Sequence, residues 1–217
     1  MRQWILVTGF GPFPGVENNP TQYLVERLSG ASFQGIPVVS KVLDVSFERA
    51  TEQHKAMIST NWPSFIVHFG VATGSKVIRV ESQGVNSKSS DIPDIDGQQF
   101  QSSVVNEAYP LNQILRTQLP IDELVKSLND RGFSALSSND AGQYVCNATY
   151  FNSLAHVAES AKKVPCIFIH IPGLFPTHDS GARSTLGWNS ERIYNAAVHI
   201  IEWISLTTNP AVSKSSK

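Results

Sequence analysis

Apolar residues recur along the chain in two rhythms, short unbroken runs and rows spaced three and four apart, and the two alternate. The first run, residues 4–8, reads as a buried strand and leads into a loop rich in glycine and proline. Asn19-Pro20 pairs a helix-capping side chain with a proline suited to a first helical turn, which predicts a helix to about Leu28 that stops near Gly30. Residues 38–43 predict a second strand, and Phe47, Ala50, His54, Met57 and Ile58 mark one face of a second helix. A buried strand is predicted over 65–69, and a more polar extended segment over 77–85. Residues 86–120 lose periodicity over a length that exceeds an ordinary connection, so a hairpin or flap is expected there. Ile121, Leu124, Val125 and Leu128 then share a helical face, and 133–136 reads as a short strand. A loop over 137–144 precedes a helix with Phe151, Leu154, Ala155 and Ala158 on one side. The apolar strand 166–171 follows, and a last helix turns Ile193, Ala197, Ile200, Ile201 and Ile204 inward. The Ser, Thr and Lys of the end predict a disordered tail over 208–217, after one domain over 1–207.

Strands alternating with helices predict an α/β fold, a three-layer α/β/α single domain with a mostly parallel, twisted central sheet. In such sheets the loops leaving the carboxyl ends of strands build the site. Phe10 and Phe13 follow the first strand, Cys146 lies past the strand ending near Ser137, and His170 sits at the carboxyl end of the strand that starts at Cys166. All are therefore expected on one edge of the sheet.

Composition narrows the chemistry. The 217 residues are 41% hydrophobic and 16% charged, with a formal net charge of -1. No basic stripe is available to neutralise phosphates, so nucleic acid is not expected as a partner. Two cysteines rule out a disulfide-stapled scaffold. The run after Arg2 breaks at Thr8 and Gly9, short of the roughly 7–15 apolar residues of a signal-peptide core. No run approaches the ~20 residues of a membrane span. A cytoplasmic protein with no membrane partner is the expectation, and Asn147-Ala148-Thr149 is then a chance match to a glycosylation acceptor.

Cys146 falls at a predicted helix start. There the positive end of the helix dipole favours a thiolate, and free backbone N–H groups suit the oxyanion of a tetrahedral intermediate. His170, at the neighbouring strand end, supplies a base. Free cysteine is also common as a small buried apolar residue, and Cys166, which begins an apolar strand, reads that way. His54, His156 and His199 lie in helices and His68 in a buried strand, so they read as surface or structural groups; His178, in a polar loop, is a rival base. Asp94, Asp96, Asp140 and Glu81 are equal candidates for a supporting carboxylate. Gly9-Phe10-Gly11 opens like a dinucleotide fingerprint, but Pro12 and Pro14 prevent the turn into a helix. No phosphate-binding loop, HExxH motif or GxSxG elbow occurs, and the histidines lack zinc-ligand spacing, so neither metal nor cofactor is expected.

Several local sequences resemble one family. Asp140-Ala141-Gly142-Gln143-Tyr144-Val145-Cys146-Asn147, with Tyr150 and Leu154, resembles the nucleophile motif of pyroglutamyl-peptidase I, a family of cysteine peptidases. Phe168-Ile169-His170-Ile171-Pro172 resembles its histidine motif, and Val7-Thr8-Gly9-Phe10-Gly11-Pro12-Phe13 with Asn19-Pro20-Thr21 its amino-terminal loop. Glu81 with Asn86 matches the glutamate motif, and Ile92-Pro93-Asp94 with Gly97 a segment near the substrate. The motifs occur in order and span nearly the whole chain.

The resemblance implies Cys146 as nucleophile, His170 as base and then acid, and Glu81 as the carboxylate that orients His170. It implies hydrolysis of the bond after an N-terminal pyroglutamyl residue, with Phe10 and Phe13 against the faces of the ring. Val71, Ile92, Tyr144 and Val145 are implied as further substrate contacts, the backbone near Val71 and Tyr144–Val145 bonding the lactam amide. It implies a homo-oligomer, commonly a tetramer. The chain departs from many members at Val71 (Gln there), Thr73 (Gly) and Asp91 (Arg, near the oxyanion). A carboxylate does not replace that arginine, which leaves the oxyanion to backbone donors or to another residue. A thiol amidase acting on another lactam or acyl amide, or a silent pyroglutamyl-binding module, remain the competing readings.

Overall fold

Residues 5–10 bury both faces, and everything else is layered around that strand. A computed structural model of the protein describes residues 3–59, 61–173 and 188–208. The elements in chain order are β1 (Ile5–Phe10), α1 (Pro20–Leu28), β2 (Ser32–Phe33), β3 (Ile36–Leu43), α2 (Phe47–Ile58), β4 (Phe65–Ala72), β5 (Ile78–Glu81), β6 (Gln83–Val85), β7 (Ile114–Arg116), α3 (Ile121–Asp130), β8 (Ala135–Ser138), α4 (Val145–Glu159), β9 (Cys166–Pro172) and α5 (Ser190–Thr208). His178 and the tail from 209 lie outside the described residues. Helix α1 starts as its sequence predicts: the Asn19 side chain accepts from the Thr21 N–H at 3.1 Å and Pro20 occupies the first turn.

Seven strands form the main sheet in the order β2-β3-β1-β4-β9-β5-β8. β3, β1, β4 and β9 are parallel; β2 pairs antiparallel with β3, and β5 antiparallel with β9, while β8 follows β5 in parallel. Odd-numbered residues of β1, β4 and β9 (Ile5, Val7, Phe65, Val67, Phe69, Ile167, Ile169, Ile171) pack with α1, α3 and α5. Even-numbered ones (Leu6, Phe10, Ile66, Cys166, Phe168) pack with α2 and α4. Three layers result, and the expected fold class is the one observed. The inward row of the last helix, Ile193, Ala197, Ile200, Ile201 and Ile204, is buried as read. Among the described residues no helix is long and apolar enough to cross a membrane.

The polar extended segment departs from the sequence reading. The extended segment over 77–85 is two strands in different sheets: Ser82 donates its N–H to the Ser138 carbonyl at 2.7 Å, and β6 turns away to pair with β7. The segment between β6 and β7, where a hairpin or flap was expected, folds back on itself through an antiparallel bridge between Lys88 and Ser103 and is stitched further by the Asn86 side chain. The Asn86 amide donates to the Asn106, Tyr109 and Pro110 carbonyls and accepts from the N–H groups of Val105 and Asn106. A second polar chain ties the α2/α4 layer to the sheet: Thr8 Oγ1 lies 2.6 Å from His68 Nδ1, His68 Nε2 2.9 Å from Ser153 Oγ, and Ser153 Oγ 3.2 Å from His54 Nε2. Burial lowers both imidazoles, His54 to about 3, so these rings stay neutral structural groups.

Gly9 lets α1 sit directly on β1, since a Cβ there would lie 2.5 Å from the Thr21 carbonyl oxygen. At Gly11 the nearest atom would be 3.7 Å away. Gly9→Ala is expected to lower unfolding free energy by about 1–3 kcal/mol, as overpacking does, and Gly11→Ala by much less. Urea denaturation of the two variants checks the contrast.

Candidate active site

The parity of β9 decides which side of the sheet carries chemistry. Cys166 and Phe168 face α2 and α4, so His170, two residues on, faces the same layer at the carboxyl end of the strand. Antiparallel β5 places Arg79 directly beside His170 in register and Glu81 beside Phe168. Ile78 and Val80 point into the opposite core, which leaves Arg79 and Glu81 on the face of His170. Glu81 is fully buried, and its Oε1 lies 2.8 Å from His170 Nδ1. The same oxygen is 3.3 Å from Arg79 Nε, while Oε2 has no hydrogen-bond partner among the described residues. With Nδ1 engaged, Nε2 is the imidazole nitrogen left for chemistry.

Cys146 is the second residue of α4. Tyr144 caps that helix by its backbone alone, and Val145, Cys146 and Asn147 keep first-turn N–H groups without intrahelical partners. Asn147 docks this turn: its Oδ1 accepts from the Val85 N–H at 2.9 Å, and its amide donates to the Val85 and Ser87 carbonyls at 2.8 Å each. Gly70, the register neighbour of His170 on β4, is what allows the approach. A Cβ on Gly70 would lie 3.1 Å from the Cys146 sulfur and 2.7 Å from the Phe168 ring. The sulfur therefore rests against the bare backbone beside His170.

The route by which Cys146 arrives differs from the expectation. β8 runs antiparallel to β9, so its carboxyl end points away from the rim that holds Phe10 and His170. The loop over 139–144 carries the chain back, held by Arg79, whose guanidinium donates to Ser138 Oγ at 3.0 Å and to the Asp140 carbonyl, and by the Ser89 N–H on the Gln143 carbonyl at 3.0 Å. Nor is the thiol sharpened at rest. Burial, followed by the charge of Glu81, pushes Cys146 up to about 12, opposed by its own backbone N–H. For this half-buried sulfur, loss of hydration opposes the helix start and outweighs it.

Cys146 and His170 open into one cavity of about 480 Å³. Phe10, Phe13, Val71 and Tyr144 line it. Phe10 is also core, 2% exposed and 6.2 Å from the Phe168 ring. Ile92 does not reach the cavity: its segment passes the rim with the Pro93 carbonyl accepting from the Tyr144 hydroxyl at 3.0 Å, and its side chain is 42% exposed. The Val145 side chain is buried between α2 and α4, leaving its backbone at the site. Sequence reasoning missed Asn19, Val45, Ala72, Gly74, Ser75, Arg79 and Ala141 as lining residues. Only the Asn19 cap and the motif containing Ala141 carried a local signal.

The rival carboxylates have other partners. Asp94 takes the Phe47 N–H at the start of α2 and the N–H groups of Asp96 and Gln98; Asp96 pairs with Arg49; Asp140 accepts from the Gly142 N–H. Asp91 is exposed and outside the cavity wall.

Residues 3–187 match the family model for pyroglutamyl peptidase. The chain is 34% identical over 168 residues to the pyrrolidone-carboxylate peptidase of Pyrococcus furiosus, covering 77% of this chain and 80% of the relative. It is 35% identical over 170 residues to that of Klebsiella pneumoniae, covering 78% of each. Among solved structures, pyrrolidone carboxyl peptidase from Pyrococcus furiosus superposes with a TM-score of 0.85 at 29% identity, over 95% of this chain and 100% of that one. Pyroglutamyl peptidase I from Bacillus amyloliquefaciens gives 0.81 at 27% identity, over 93% and 96%.

In a His170→Ala variant the half-buried sulfur keeps the Glu81 charge nearby but loses the neighbouring imidazole. Alkylation of Cys146 by iodoacetamide is then expected to climb through and beyond the ordinary thiol range near about 8.5. A plateau at that ordinary value, seen by mass spectrometry of the labelled peptide, would contradict the raised thiol.

Proposed function

Since the chain belongs to the pyroglutamyl peptidase family, we propose that Cys146, His170 and Glu81 carry its reaction, the hydrolysis of the bond after an N-terminal pyroglutamyl residue of a peptide. The protein is a cysteine peptidase of this type. One observation carries the assignment: the sulfur of Cys146 rests on Gly70, beside an imidazole whose far nitrogen is held by a buried carboxylate.

His170 Nε2 takes the thiol proton as sulfur attacks the pyroglutamyl carbonyl. The imidazolium forms beside Glu81, which holds the ring and stabilises the charge. The oxyanion falls to the free N–H groups of the first turn of α4. His170 returns the proton to the leaving amine, and water then cleaves the thioester with His170 as base. A neutral thiol at rest suits this order, in which charge appears only when the acceptor is in place.

The pocket favours a neutral lactam. Phe10, Phe13 and Tyr144 offer aromatic surface, and Val71 closes the end of β4. A free α-ammonium would lose its hydration there without gaining a partner, so ordinary N-termini are disfavoured. We place the enzyme in the cytoplasm, a reading supported by two cysteines that are both free thiols.

A fluorogenic pyroglutamyl amide is expected to be turned over, and the matching prolyl amide with its charged amine to be turned over poorly. Cys146→Ala should remove activity while keeping the wild-type melting temperature. Glu81→Gln should lower kcat about a hundredfold or more. Full activity in the Cys146 variant would overturn the assignment.

A further inference from the structure

Arg79 carries the one permanent charge among the described residues lining the cavity. It is held at both ends. Nε lies 3.3 Å from the Glu81 oxygen that also bonds His170, and the guanidinium tip donates to Ser138 Oγ at 3.0 Å and to the Asp140 carbonyl. Its backbone sits in register between His170 on β9 and Leu136 on β8. One side chain thus spans the carboxylate behind the base and the loop that delivers the nucleophile. We propose that Arg79 is a positioning residue, which holds the Glu81 carboxylate on a single His170 nitrogen and sets how readily the imidazole takes and releases its proton.

The physical need is clear from burial. Glu81 has no contact with solvent, and a neutral imidazole offers it one N–H. A buried carboxylate without a cationic partner is costly, and Arg79 supplies that partner whichever protonation state His170 is in. When His170 becomes imidazolium, it and the guanidinium share one oxygen. Their mutual repulsion opposes the protonated ring and so favours proton return to the leaving amine. The other titratable groups facing the pair among the described residues are Cys146 and Tyr150, both from α4, the latter donating its hydroxyl to the Glu81 carbonyl at 2.9 Å. Asp140 presents its carbonyl, its carboxylate turning instead to the Gly142 N–H. None of these is a resting cation that duplicates Arg79.

The inference rests on His170 being the base, and two readouts keep the claims separable. The first is the pH profile of kcat/KM on a pyroglutamyl amide for wild type, Arg79→Gln and Arg79→Lys. The second is the pH profile of Cys146 alkylation by iodoacetamide in the same three proteins, which requires no turnover. Without the guanidinium the imidazolium is favoured, so the acid limb of both profiles in Arg79→Gln should move to higher pH by about one unit. Most of the rate loss should fall in kcat rather than KM. Arg79→Lys, which keeps the charge, should return the limb toward its wild-type position. Superimposable limbs in wild type and Arg79→Gln, or a limb moved to lower pH, would overturn the proposal, whatever happens to melting temperature. A wild type that alkylates but does not cleave the amide defeats the peptidase assignment, and the alkylation limbs then decide the role of Arg79.

Discussion

The first turn of α4 touches the sheet only because β4 is bare at Gly70. Strands stand about 4.8 Å apart, so a group resting on Gly70 is beside His170 on the next strand. The Phe168 ring and the Cys146 sulfur fill the space that a methyl group would take. The Asn147 side chain holds the helix down from the other side, through both polar groups of Val85 and the carbonyl of Ser87. The Cys146 sulfur is thus positioned by contact with Gly70 and by the hydrogen bonds that its neighbour Asn147 makes to backbone.

The same tight packing sets the electrostatics. Excluding water raises the thiol and isolates Glu81, two effects that would idle the site if nothing compensated them. Groups able to compensate lie within reach: the His170 imidazole and the Arg79 guanidinium, both on the Glu81 carboxylate, and the open N–H groups of the first turn of α4. A helix start alone does not activate a cysteine. Desolvation of the anion is the larger effect here.

Much of the framework was readable from local pattern. The Asn19-Pro20 start of α1, the buried run of β9 and the inward row of α5 each follow from residue type and spacing, and each was found where read. Where several surfaces compete, the pattern failed. Helix α4 was read with one buried side, yet it is buried almost all round from Val145 to Ala155 because the sheet, α2 and β6 enclose it. The split of 77–85 at Ser82 left no trace in a stretch of uniformly extended character, since the break is enforced by a bond to Ser138 on another strand. Ile92 was placed at the substrate by likeness of motif, whereas the group of that segment which meets Tyr144 is the neighbouring Pro93 carbonyl, and Ile92 is not among the residues lining the cavity.

Sequence by itself determined the alternation of strands and helices, the layered fold and, through its motifs, the family. These depend on residue type and near-neighbour spacing, which one dimension records. Tertiary structure alone decided that β8 runs against β9, that the loop over 139–144 brings Cys146 back to the rim, and that Arg79 stands beside His170. Each of these turns on the direction in which a distant strand is added to the sheet. That direction is chosen by burial and hydrogen bonding between segments far apart in the chain, and no local window contains it.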